Sequence, residues 1–361
     1  MDRIERVRGA VLMQAYGDAL GAPFEFSSER VEWIDRLHPY VGDVGPHGLW
    51  SVPSSPGTGT DDVRYAWVFI ELACQIQRAP TAREVAQRFV EIYKDPAAFF
   101  PHYPQLARDQ FSMWEGVSCG SLGLESPNYV GIPPDVLATR SVGLNYPTIA
   151  GMLALPFMGL LYVGDPERAY RAAYEAAFFD MAYAREATAL LAASQSLALA
   201  GLGAREVIEH TLALDPLRLG GYFGRPFVVD NLPSLLKRAR DKEGKDLAEF
   251  LSFELRHLSV FDPYRTLSIA FCALFAHADQ PLRALEVAVN QFESDGYGHW
   301  KRYADVDCYA SITGGLVGAL CGVGVLSEES IQQCVEGNER AYGFNLEDSA
   351  ARFADVLVEV P

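Results

Sequence analysis

Between Tyr309 and Val323 the chain carries no charged residue, and small side chains recur at every fourth position: Ala310, Gly314, Gly318 and Gly322, with Ser311, Gly315 and Ala319 beside them. At that spacing they share one face of a helix, and side chains so small let a neighbouring backbone approach very closely. Glycine costs roughly 1 kcal/mol against alanine in a helix interior, so only tight packing on that face can offset several of them. The stripe predicts a central helix over Val306–Val323, buried on all sides. Such a helix is a rigid base for whatever chemistry sits at its start.

The remainder of the chain reads the same way. Apolar residues recur at helical spacing over Ile4–Tyr16, Asp62–Gln77, Tyr103–Glu115, Pro147–Tyr162, Pro166–Phe179, Ala184–Ala200, Asp262–His277 and Leu346–Leu357, among others. Asp165-Pro166 and Asp262-Pro263 give an N-cap followed by proline at the first helical position. Alternating β-branched runs are nearly absent, so the fold class is all-α. Longer loops are expected at Phe26–Pro56, Cys119–Asn145, Gly220–Asn231 and Gln291–Tyr303. The last holds Gly296, Tyr297, Gly298, His299 and Trp300, the composition of a functional rim. With no linker-like stretch and no internal repeat, residues 1–361 read as a single compact domain.

Two acidic doublets stand at the mouths of apolar helices: Thr60-Asp61-Asp62 and Asp305-Val306-Asp307. The plainer reading of each alone is helix capping and a favourable interaction with the helix dipole. Taken together they look like two halves of one site, because hard divalent cations draw several oxygen ligands from distant segments. Arg64, one turn into the first of these helices, reads as a surface salt-bridge partner ahead of a phosphate contact.

A further segment bears on that choice. Gly17-Asp18-Ala19-Leu20-Gly21-Ala22-Pro23-Phe24-Glu25-Phe26 resembles the opening motif of the ADP-ribosylglycohydrolases. The likeness continues in order through Thr60-Asp61-Asp62, Pro156-Phe157-Met158-Gly159-Leu160-Leu161 and Asp305-Val306-Asp307, over residues 9–323. The resemblance implies an orthogonal bundle of helices around a cleft floored by two Mg²⁺ ions, which Mn²⁺ can replace. It implies metal ligands at Thr60, Asp61, Asp62, Asp305 and Asp307, and catalytic candidates at Glu25, Asp62 and Asp305. Glu25 would coordinate or activate water from a mobile loop closing over the cleft. Asp18 would be structural or would orient the substrate. The substrate would be an ADP-ribosylated protein or small molecule.

Other aromatic residues available to stack on adenine or to rim the cleft are Trp114, Tyr146 and Phe178, with Tyr297 and Trp300 the best placed as substrate-binding candidates. The chain departs from the family pattern at Val63, at Cys308 where an oxygen donor is usual, and at Leu153 in the middle motif. These departures keep two alternatives open: a relative that only binds, or a hydrolase of another nucleotide or nucleoside.

Composition excludes several classes. A net charge of −17 argues against general nucleic-acid binding and against docking on anionic membranes. No dinucleotide or phosphate-loop fingerprint points to redox cofactors. Six scattered cysteines without a CxxC pair, and an acidic N-terminus without an apolar signal core, are those expected of a soluble cytoplasmic protein.

Overall fold

The computed structural model describes residues 2–39, 55–141, 146–220, 224–295 and 297–356. Parts of three expected loops (40–54, 142–145 and 221–223), together with Gly296 and Leu357, lie outside the described residues. Within them the chain is a bundle of helices with one two-stranded hairpin. No helix among the described residues is long and apolar enough to cross a membrane.

The uncharged segment forms the helix Val306–Cys321, buried along nearly its whole length. It runs antiparallel to the N-terminal helix Arg3–Gly21, and the two backbones touch along a shared row. A Cβ on Gly314 would lie 2.1 Å from the carbonyl oxygen of Met13, and one on Gly318 would lie 2.0 Å from that of Gly9. In the other direction, a Cβ on Gly17 would meet the carbonyl of Ala310 at 2.1 Å, and one on Gly21 would meet Cα of Asp307 at 2.4 Å. Positions 9, 13, 17 and 21 thus descend one helix as 318, 314, 310 and 307 ascend the other. Around this pair pack Tyr183–Leu199, Pro263–Ala276 and Pro281–Val289 against the later helix, and Glu328–Tyr342 and Leu346–Val356 against the first.

The expected helix starts form as the sequence dictates. Asp262 accepts from the backbone N–H of Tyr264 at 2.8 Å and Arg265 at 3.2 Å, and Asp165 accepts from Arg168 at 3.1 Å.

Two segments differ from expectation. Pro147–Tyr162 is not an α-helix; it is two short 3₁₀ segments, Ala150–Leu153 and Leu155–Leu161. Pro156 can neither donate to the ladder nor sit beside the carbonyl four residues back. The Gly151 N–H, moreover, goes to the Asp180 carboxylate at 3.0 Å. The expected Gln291–Tyr303 loop contains a hairpin, Phe292–Ser294 with Trp300–Tyr303, bulged between Glu293 and Ser294. Its strands are too short for an alternating pattern to show. Its turn is held by Asp295, which accepts from the N–H groups of Tyr297 and His299, both at 2.9 Å.

Candidate metal centre

The first acid motif is positioned from outside its own helix. Asn338 and Tyr342, from Glu328–Tyr342, hold the approach: Asn338 accepts from the Gly59 N–H at 3.2 Å and the Tyr342 hydroxyl donates to the Gly59 carbonyl at 2.6 Å. Gly57 lies at φ 89°, and a Cβ there would strike the backbone of Gln333 at 2.4 Å. The helix Asp61–Ile76 is capped chiefly by Asp18 of the N-terminal helix. Asp18 accepts from the Thr60 N–H at 2.8 Å, the Thr60 hydroxyl at 2.9 Å and the Val63 N–H at 3.0 Å. Asp18 is fully buried. These bonds give Asp18 a structural part as the cap of this helix.

With Asp18 serving as cap, the acids of the doublet are free for other work. Asp62 is fully buried; its Oδ1 accepts from the Cys308 thiol at 3.3 Å, and its Oδ2 has no hydrogen-bond partner. The same holds at the second motif. Asp305 precedes its helix, yet its side chain makes no capping bond, and its Oδ2 has no partner. Asp307 Oδ1 is also buried without a partner, while its Oδ2 lies 3.4 Å from the Thr60 hydroxyl. Capping therefore does not account for Asp62, Asp305 or Asp307.

Glu25 reaches the second motif through the backbone. The turn after the first helix is tied beside the residues preceding Asp305 by Phe26 N–H to Ala304 O at 3.3 Å and Tyr303 N–H to Ser27 O at 2.9 Å. Phe26 takes a left-handed conformation (φ 54°) to make this connection, a strain of order 1–2 kcal/mol that the surrounding contacts must hold. Glu25, for which the resemblance implied a mobile loop, lies buried here in a hydrogen-bonded turn.

Two groups of ligand atoms result. Glu25, Asp305 and Asp307 bring carboxylate oxygens within 4.8 Å of one another, and Asp62, Asp307 and Cys308 do the same; Asp307 is common to both. Asp61 belongs to neither group and is half-buried at the edge. The two acid motifs, separated by some 240 residues in sequence, therefore meet.

So much negative charge out of water raises every carboxyl. Burial, opposed by the Thr60 and Val63 hydrogen bonds and aided by the Asp61 charge, pushes Asp18 to about 7. Burial brings Asp61 to about 6, with Arg64 opposing, and Asp305 to about 8. Glu25, Asp62 and Asp307 are pushed well above their ordinary range, by burial first and then by nearby acids, led by Asp307 for Glu25, Asp18 for Asp62 and Asp305 for Asp307. Two arginines temper this, and neither was marked by the sequence as a site residue. Arg64 is buried, donates to the Gln110 side chain at 2.8 Å and lies over the Tyr342 ring, so the surface salt bridge expected for it is corrected. Arg265, buried behind Asp305, donates to the carbonyls of Leu258 and Phe292. Only a periodicity reading fine enough to put each guanidinium on an inward face would have found them.

The rim candidates are dispersed. Tyr297 stands at the hairpin tip, 88% exposed, with the His299 ring centroid 6.4 Å away. Trp300 is nearer: it packs edge-on against Tyr303, which in turn packs against Phe24, the neighbour of Glu25. Trp114 is core, its ring 4.5 Å from that of Tyr65.

The charge balance predicts a pH dependence. Asp18, Asp61 and Asp305 hold protons in the folded state up to about pH 7, 6 and 8, but ionise near 3.8 when unfolded. Between about pH 4 and 8 the native state therefore binds more protons than the unfolded one, and stability falls as pH rises. Urea denaturation in chelator is expected to show a lower midpoint at pH 8 than at pH 5. Mn²⁺ at a hundred times its Kd should restore about 2.7 kcal/mol at pH 8. A midpoint independent of both pH and Mn²⁺ would contradict the charge argument.

An all-helical bundle carries a buried carboxylate cluster, drawn from three distant segments and partly unsatisfied in its hydrogen bonding, whose oxygens could hold a metal ion. The model of the ADP-ribosylglycohydrolase family matches residues 1–360, and the chain belongs to that family. A solved structure described as an ADP-ribosylglycohydrolase-related protein complex is similar at a TM-score of 0.58 and 20% identity, covering 98% of this chain and 99% of the other. At that identity the likeness speaks for the fold. Among curated protein sequences, none matches.

Proposed function

We propose that this protein is a metal-dependent hydrolase that cleaves the glycosidic bond of an ADP-ribosyl group, working as one domain over its whole length. The observation that carries the reading is the set of buried carboxylate oxygens without partners, Asp62 Oδ2, Asp305 Oδ2 and Asp307 Oδ1, in two overlapping ligand groups. Uncompensated buried acids are costly, and cationic charge among them removes the cost. Hard oxygen donors would suit Mg²⁺ or Mn²⁺, and Asp307 is common to the two groups. Asp62, Asp305, Asp307 and Glu25 would hold them, with Thr60 and Asp61 as further donors. Bound there, the ions would orient the ribose diol and lower the pKa of a water.

The chain's own residues do the remainder. Glu25, as an alternative to coordinating an ion, would take a proton from water as it approaches the anomeric carbon. Departure of the leaving group builds positive charge on the sugar, which the carboxylates around it stabilise. A general base works best with a pKa near the operating pH; Glu25 is raised well above its ordinary range by burial and then by the Asp307 and Asp305 charges, and cationic charge in the cluster would lower it. Trp300, and Tyr297 at the hairpin tip, remain available for the base of the substrate.

The test is a panel of ADP-ribosyl-arginine, ADP-ribosyl-serine, ADP-ribosylated nucleic acid and O-acetyl-ADP-ribose, each with Mg²⁺ or Mn²⁺. Release of ADP-ribose that chelator abolishes is the expected result. Binding of ADP-ribose with no cleavage across the panel would favour the binding-protein alternative, for which Val63, Cys308 and Leu153 speak.

A further inference from the structure

Cys308 is the one member of the cluster that is not an oxygen donor. It lies in the first turn of Val306–Cys321, nearly buried, with its Sγ 3.3 Å from Asp62 Oδ1. Together with Asp62 and Asp307 it forms one of the two groups of ligand atoms within 4.8 Å of one another. Two further oxygens of that group, Asp62 Oδ2 and Asp307 Oδ1, are buried without a hydrogen-bond partner, on residues themselves almost wholly out of solvent. Ligands at about 2.1 Å (oxygen) and 2.3 Å (sulfur) from one ion, at an angle of about 90–110°, lie about 3.1–3.6 Å apart. The sulfur–oxygen spacing already falls in that range.

We propose that Asp62, Asp307 and Cys308 form a mixed oxygen–sulfur subsite that takes a thiophilic divalent cation, of the Zn²⁺, Co²⁺ or Cd²⁺ type, in preference to Mg²⁺. The inference rests on reading the acid cluster as a cation site. A thiolate is a soft ligand and discriminates strongly among divalent ions, whereas carboxylates alone favour the hard ones. As the sulfur–metal bond forms, the thiol proton leaves to solvent, and nothing is oxidised or reduced. The other group, Glu25, Asp305 and Asp307, is all oxygen and stays suited to Mg²⁺ or Mn²⁺. The two subsites therefore differ in metal preference while sharing Asp307. No other cysteine belongs to a ligand group among the described residues.

The experiment uses the full chain stripped by chelator, in wild-type and Cys308→Ser forms, the serine restoring an oxygen donor of similar shape. Co²⁺ is titrated while the near-ultraviolet spectrum is followed for a sulfur-to-cobalt charge-transfer band. Cd²⁺ and Mg²⁺ affinities are then measured by calorimetry. The wild type should show the band and the serine variant should lack it. Cd²⁺ affinity should fall about tenfold or more in the variant, with Mg²⁺ affinity unchanged or raised. Co²⁺ binding without the band, or the same Cd²⁺/Mg²⁺ preference in both proteins, would overturn the subsite while leaving the acid cluster as a cation site. If no divalent ion binds either protein, both readings fall. Should the serine variant fail to fold, Cys308→Ala gives the same spectral comparison.

Discussion

Glu25→Gln is expected to lose about 10²–10⁴-fold in turnover while retaining ADP-ribose binding, the range typical of general-base assistance. Glutamine keeps the shape of the side chain, and the turn that holds it does not depend on the carboxylate: the ties run through the backbone of Phe26, Ser27, Tyr303 and Ala304. What is lost is the group able to accept a proton, together with one charge facing Asp305 and Asp307. Removing that charge also lightens the repulsion among the acids, so the variant should melt at the same temperature as wild type or higher in chelator. Lower turnover with intact or raised stability separates a chemical role from a structural one. Turnover unchanged in the variant would leave the family assignment untouched and remove Glu25 from the mechanism.

The largest effect on the fold is expected at the contact between the first helix and Val306–Cys321. Gly314→Ala places a Cβ 2.1 Å from the Met13 carbonyl oxygen, over 1 Å inside ordinary contact distance, and its neighbour is backbone that cannot rotate away. The helices must separate, at a cost of about 3 kcal/mol, the upper end for overpacking. Adding Gly17→Ala, whose Cβ meets the Ala310 carbonyl at 2.1 Å, should approach the whole stability of a typical domain, about 5–15 kcal/mol. Because Gly21 abuts Asp307 on the same row, the separation also moves Asp307 away from Glu25, so metal binding should weaken along with stability. Gly324→Ala is the control. No atom lies within 4 Å of its Cβ and its φ is not left-handed, so it should cost nothing measurable in denaturation. Equal stability of Gly314→Ala and Gly324→Ala would refute the close-contact account.

Much of this molecule was legible before any coordinates. The stripe from Ala310 to Gly322 announced a backbone-to-backbone contact because small residues at helical spacing have few other uses. Helix starts such as Asp262-Pro263 were local events, decided within four residues. The acids at 61, 62, 305 and 307 drew attention because they stood at the mouths of apolar helices. The partner of the stripe was not legible, because Gly9, Gly17 and Gly21 are ordinary glycines until a second helix is laid along them.

The identity of the cap was hidden for the same reason. Asp18 and Asp62 are both acids near a helix start. Only the arrival of the N-terminal helix at Thr60 and Val63 makes Asp18 the cap and leaves Asp62 unsatisfied. Glu25 stands beside the second motif because its neighbours Phe26 and Ser27 bond to residues nearly 280 positions later, which no local pattern records. The buried guanidinium of Arg64 looked like surface charge, because periodicity does not say which face a later helix will cover. By itself the sequence determined most of the helices, Pro147–Tyr162 excepted, and the residues able to carry charge, since those depend on neighbours a few positions away. Which acids were left without partners, and therefore able to hold a cation, was decided only by tertiary packing, because each carboxylate's satisfaction depends on donors brought in from distant segments.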